Sequence, residues 1–168
     1  MNPYKYSEEF PYHISVGAVL FNDHQNIACQ IFAPETIEKM MGVPREMRTL
    51  MRETIEPDET IIQALHRGLK EEYGISGTML GYLGSLQGKI AKTKLDFLKT
   101  TLYFLVKLNP GEELLIENTD GGIPFGIEWR EPDELINLMN TQSEGLERED
   151  LNEAAIIQRA KPYLAKYE

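Results

Sequence analysis

With 168 residues, 42% hydrophobic and 26% charged, the chain has the composition of a soluble globular protein, long enough to bury a core without staples. Its net charge of −10 argues against long nucleic acids as partners, because their affinity comes from Lys and Arg neutralising phosphates. It leaves a small anionic ligand open, since a cation held by carboxylates inverts the local electrostatics.

The single cysteine, Cys29, permits neither an intramolecular disulfide nor a thiolate metal cluster, which fits a reducing compartment. It lies in the apolar run IACQIFA and reads as a buried, inert thiol. The N-terminus MNPYKYSEEF has neither an apolar signal core nor a transit composition. The runs VGAVLF and LYFLV are far shorter than the ~20 residues that span a bilayer. The expectation is a cytoplasmic protein with no membrane partner.

In chain order, residues 1–12 read as an extended N-terminal arm. His13 to Phe21 is a β-branched strand ended by a turn at Asn22-Asp23, and Asn26 to Ala33 is its antiparallel return. Pro34 to Thr49 reads as a loop with a helical turn, feeding a short strand over Leu50–Thr54. The next element is a helix. Thr60 is a good N-cap and Gln63 stands at capping-box spacing. Ile62, Leu65, Leu69 and Tyr73 form its buried stripe, and Gly74 supplies the left-handed stop.

Beyond it, Met79 to Gln87 and Phe97 to Leu108 read as strands separated by the charged stretch 88–96. Residues 111–127 look like a long surface loop, and Ile127 to Arg130 a short strand. Pro132 to Asn140 and Leu151 to Tyr167 read as helices, the second docking through Ala154, Ile157, Ala160 and Leu164, with Pro162 kinking or ending it. The whole predicts an α/β fold of one domain, 1–168, with segment 148–168 a helix packed on it and a mixed sheet between helices.

The chemistry concentrates in Glu53 to Ile75, ETIEPDETIIQALHRGLKEEYGI. Position 68 is one turn before both Glu71 and Glu72, so the three share one edge of the helix. Adjacent carboxylates repel unless a cation sits between them, and magnesium takes one or two carboxylates with waters and phosphate oxygens. Gly68 is out of place, because a mid-helix glycine costs roughly 0.8–1 kcal/mol relative to alanine.

The stretch resembles the Nudix box, G-x5-E-x7-R-E-U-x-E-E-x-G-U, with U bulky and aliphatic. Glu59, Arg67, Leu69, Glu71, Glu72, Gly74 and Ile75 match it at the right spacing. Two positions depart: Glu53 stands for the first glycine and Gly68 for the glutamate after the arginine. The resemblance implies a Nudix-like α/β/α sandwich around a mixed sheet. It also implies hydrolysis of a diphosphate bond in a nucleoside diphosphate derivative with Mg²⁺ or Mn²⁺. By the same resemblance Glu71 and Glu72 are metal ligands and Arg67 orients the box carboxylates. Glu59, Leu69, Gly74 and Ile75 are structural, and the backbone carbonyl of Glu53 faces metal.

Gly68 can be neither a ligand nor a partner of the catalytic water. Three readings stay open: a hydrolase that holds metal through Glu71 and Glu72 and takes its base from elsewhere, a nucleotide-binding or regulatory module without efficient turnover, and a dead site in a fold that serves another interaction. Glu53 could bring a compensating carboxylate over the space of a residue-68 side chain. Of Glu112, Glu113, Glu117 and Glu128, Glu128 beside Trp129 is the preferred further ligand. His13, His24 and His66 have no metal-ligand spacing, and no P-loop or Gly-x-Ser-x-Gly elbow appears. Trp129 or Phe125 could stack on a base or belong to the core, and a homodimer is left open.

Overall fold

The computed structural model describes residues 1–92 and 95–167. Strand β1 (Tyr12–Phe21) is buried on both faces along most of its length, as a β-branched and small-residue run must be at the centre of a sheet. It pairs in parallel with β6 (Leu95–Leu108) over ten residues, from Tyr12 against Leu98 to Phe21 against Lys107. β5 (Gly77–Lys92) and β6 form a long antiparallel hairpin. The stretch 88–96 is therefore largely strand rather than a separating loop; its residues 93 and 94 lie outside the described residues.

β2 (Ile27–Phe32) returns antiparallel to β1 as expected, but the two meet only at Phe21 and Ile27 and then diverge. Two short strands fill the opening. β3 (Met47–Thr49) pairs with β2, and β4 (Met51–Thr54) pairs with β1 from Ser15 to Ala18. β8 (Ile123–Arg130) continues the sheet beside β2, with β7 (Glu117–Asp120) at its edge. The span 111–127 is thus not one long loop: it holds β7 and the start of β8, turned at Gly121-Gly122.

Helices cover both faces of this mixed sheet. On one face α2 (Ile61–Gly68) and the π-helical turn after it, Leu69–Tyr73, bury Leu65, Leu69 and Tyr73 against Val16, Ala18, Met51 and Phe125. On the other, α3 (Pro132–Ser143) and α4 (Ala154–Leu164) bury Leu135, Met139, Ile157 and Ala160 against Val19, Phe21, Leu50 and Tyr103. The docking stripe Ala154, Ile157, Ala160 and Leu164 is buried throughout, and α4 ends two residues after Pro162.

The stretch after β2 is more helical than its composition suggests, forming α1 (Pro34–Met41) before β3. The N-terminal arm is docked rather than free. Tyr4 packs on the core, Asn2 donates to the Ile55 carbonyl at 2.9 Å, and Tyr6 stacks on Phe97 at 4.4 Å. Among the described residues no helix is long and apolar enough to cross a membrane.

Candidate active site

The helix start forms as its sequence dictates. The Thr60 hydroxyl accepts from Gln63 N–H at 3.2 Å, and the Gln63 side chain accepts from Thr60 N–H at 2.8 Å. Ile62 departs from the expected stripe and is 47% exposed. The face that α2 buries is that of Ala64, Leu65 and Gly68, whose centre lies about 110° around the helix from Ile62, and only after it does the helix widen into the π turn at Leu69. Such widened turns recur at functional sites. Gly74, at φ 73°, ends the turn in the left-handed conformation that glycine adopts without strain.

Arg67 is the hub of the carboxylates. Its guanidinium donates to both oxygens of Glu59 at 2.7 and 3.0 Å, a fork-to-fork pair, and to the Thr54 carbonyl at 2.8 Å. The Nη1 atom stands 3.2 Å from Glu71 Oε2 and 3.2 Å from Glu53 Oε1. Arg67 therefore links β4, the loop before α2 and the helix itself. The Glu59 carboxyl is held below its ordinary range, by the Arg67 hydrogen bonds first of all.

Glu72 is the buried member, 7% exposed. Its Oε2 accepts from Gln30 Nε2 at 2.8 Å, and Thr49 Oγ1 donates to Gln30 Oε1 at 3.1 Å, which fixes the amide with its nitrogen toward the carboxylate. Burial, then the nearby charges of Asp120 and Glu53, push the Glu72 carboxyl up to about 7. Glu53 is likewise raised, by burial against the opposing pull of Arg67. Asn118 Nδ2 donates to the main-chain carbonyls of Glu71 and Glu72 at 2.7 and 3.1 Å, tying the π turn to β7.

Glu53, Glu71 and Glu72 share a design. Each engages one oxygen, with Arg67 or Gln30, and the other oxygen has no hydrogen-bond partner among the described residues. Carboxylates positioned but half unpaired, on a face where they repel one another, are a donor set suited to a hard cation. Among the described residues no three His, Cys, Asp or Glu side chains are gathered closely enough to cage a metal by themselves. The set fits magnesium or manganese bound by one or two carboxylates and completed by water and phosphate, rather than a closed protein cage. Beside it, Ile31, Ala33, Asn118, Thr119, Pro124 and Phe125 line a cleft of about 500 Å³.

The structure does not bring Glu128 to this site. Along β8, Phe125 and Ile127 face the α2 side, so strand alternation turns Glu128 to the other face. There its carboxylate accepts from Arg48 at 2.7 Å and from Arg130 at 2.6 and 2.8 Å. Glu53 lies in β4 opposite Val16, and its side chain is the part that meets α2, through Gly68. Leu69, Tyr73 and Ile75 are wholly buried, His66 is exposed, and Phe125 and Trp129 both pack in or against the core. The box pattern does not point to Gln30, Asn118 or Asp120, which join the site through β2 and β7. A lone glutamine inside the apolar run of β2 was the signal for the first.

A family model described as NUDIX domain matches residues 11–151. The Ap4A hydrolase of C. elegans, solved as a binary complex, superposes with a TM-score of 0.59 at 18% identity, covering 91% of this chain and 98% of that one. The dihydroneopterin triphosphate pyrophosphohydrolase of E. coli gives 0.59 at 17% identity over 86% and 92% of the two chains. The MutT protein from Methanosarcina mazei Go1 gives 0.57 at 16% over 94% and 98%. At these identities the likeness carries the fold alone. No curated protein matches the chain significantly in sequence.

Proposed function

The chain belongs to the Nudix family, and on that premise we propose that it hydrolyses a diphosphate bond in a nucleoside diphosphate derivative, using Mg²⁺ or Mn²⁺. The observation that carries the reading is the half-paired carboxylate set of Glu71 and Glu72 on the π turn, next to an open cleft. A bound divalent cation would offset charge on the diphosphate and lower the pKa of an attacking water.

The chain's own residues divide the remaining work. Glu71 and Glu72 hold the cation, and Gln30 fixes the Glu72 oxygen that it engages. Arg67 positions Glu71 by spanning it and Glu59, and keeps its charge throughout the working pH range. The cleft lined by Phe125 and Asn118 receives the part of the substrate beyond the phosphates. Residues 1–168 act as one domain in this reading.

A second reading has one observation in its favour. Helix α2 offers no carboxylate at Gly68, which suits a module that binds a nucleotide derivative without efficient turnover. The test is hydrolysis of a panel of nucleoside diphosphate derivatives with Mg²⁺ or Mn²⁺, comparing wild type with Glu72→Gln. Metal-dependent turnover lost in Glu72→Gln is the expected result. Tight binding of a panel compound without turnover selects the second reading, and neither binding nor turnover overturns both.

A further inference from the structure

Gly68 is a helix-interior glycine with a packing reason. A Cβ added there would stand 2.7 Å from Glu53 Cβ, 3.0 Å from Met51 Sδ and 3.2 Å from Glu53 Cγ. The first of these is closer than two carbon atoms can approach without one of them moving. Strand β4 passes directly over the helix at this point, and residues 53 and 68 contend for one volume. Only one of them has a side chain in it.

That side chain ends in a carboxylate. A glutamate growing from position 68 and the glutamate growing from position 53 start from nearly the same point in space. Glu53 Oε1 accepts from Thr54 N–H at 2.9 Å and lies 3.2 Å from Arg67 Nη1, the atom that also contacts Glu71. The Oε2 atom has no partner among the described residues. The charges of Glu71 and Glu53 bear on one another, as do those of Glu53 and Glu72, so the three stand in one electrostatic neighbourhood.

Building on the hydrolase reading above, we propose that Glu53 supplies from β4 the carboxylate for which α2 has no room, acting on the water shell of the cation that Glu71 and Glu72 hold. The two departures from the box pattern, Glu53 for glycine and Gly68 for glutamate, are then a single exchange across the β4–α2 contact. Magnesium keeps several of its waters when bound, so a carboxylate outside its first shell has partners to accept from. Groups in such outer positions change metal affinity by roughly 10–100-fold when removed.

The test measures Mn²⁺ affinity by electron paramagnetic resonance and water-proton relaxation, with thermal melting alongside, for wild type, Glu53→Gln, Glu72→Gln, Gly68→Glu and the double variant Glu53→Gly/Gly68→Glu. Glu53→Gln is expected to melt like wild type yet bind Mn²⁺ about tenfold more weakly, with changed water relaxation. Gly68→Glu alone is expected to lose stability through the 2.7 Å overlap, and the exchange variant to regain both stability and Mn²⁺ binding. Wild-type affinity in Glu53→Gln, while Glu72→Gln loses it, overturns the inference and leaves the hydrolase standing. A folded exchange variant that does not regain Mn²⁺ also overturns it. Absence of Mn²⁺ binding in wild type overturns inference and hydrolase together, and if the exchange variant fails to fold, Glu53→Gln decides alone.

Discussion

Glu72→Gln tests the electrostatics of the site without substrate or metal. The Glu72 carboxyl sits at about 7 in the folded chain against an ordinary 4.5, raised chiefly by burial and then by Asp120 and Glu53. Because the folded pKa lies above the unfolded one, the folded protein binds the proton more tightly between those limits. Wild-type stability therefore falls as pH rises through this window and levels off above it. At 1.36 kcal/mol per unit the whole loss is about 3 kcal/mol. Glutamine is nearly isosteric, can still accept from Gln30 Nε2, and never ionises. Urea unfolding of both proteins in EDTA, at intervals from pH 4.5 to pH 8, should show the variant equal to wild type at the acid end. By pH 8 it should be about 2–3 kcal/mol more stable. A difference that does not vary with pH, or a variant less stable at pH 8, refutes the account of Glu72 as a repelled buried carboxylate.

Three further outcomes follow from contacts elsewhere. Arg67→Met should cost about 2–3 kcal/mol in urea unfolding at pH 7, the scale for losing charge-assisted hydrogen bonds. The loss should shrink toward pH 4, because the Glu59 carboxyl, held below its ordinary range chiefly by its Arg67 hydrogen bonds, contributes stability that is lost as the pH falls through its folded value. Tyr103→Phe removes the 2.5 Å hydrogen bond to the buried Glu153 and should lower stability by about 1–3 kcal/mol, with no change in Mn²⁺ affinity because it lies on the other face of the sheet. The Cys29 thiol, pushed up to about 12 by burial, should react with an aromatic disulfide reagent only at the rate of unfolding; fast labelling at pH 8 in native buffer would contradict its burial.

Local signals in the sequence translated into structure where they were sufficient in themselves. The Thr60–Gln63 box, the glycine stop at 74 and the α4 stripe needed no distant partner to be read. The box spacing likewise placed Glu59, Arg67 and Glu71 together, because all three act through a helix and the loop before it. What failed depended on long-range packing. The spacing to Leu65 assigns Ile62 inward, but the face that α2 buries is that of Ala64, Leu65 and Gly68, which leaves Ile62 at its rim. Its neighbour Trp129 recommends Glu128, but strand alternation beside Phe125 and Ile127 turns it away from the α2 face. The β7–β8 pairing was hidden by a stretch whose Gly, Glu and Asp content mimics a loop. Two irregular letters in the box hint at the contact of Glu53 with Gly68, and its dependence on β4 crossing α2 is legible only in three dimensions.

The parallel seam between β1 and β6 has a consequence for how the chain is made. Its ten residue pairs join segments far apart in sequence, the first being Tyr12 with Leu98. Synthesis proceeds at about 5–20 residues per second, so β1 leaves the ribosome several seconds or more before its partner exists. During that interval only β2 and β4 are at hand to pair with it. This central strand of the sheet thus waits half-covered for a hairpin still being translated. Folding of the nascent chain is limited by its length, and a ribosome paused before Leu108 would present a sheet with an open inner edge, the form of exposure that invites pairing between chains.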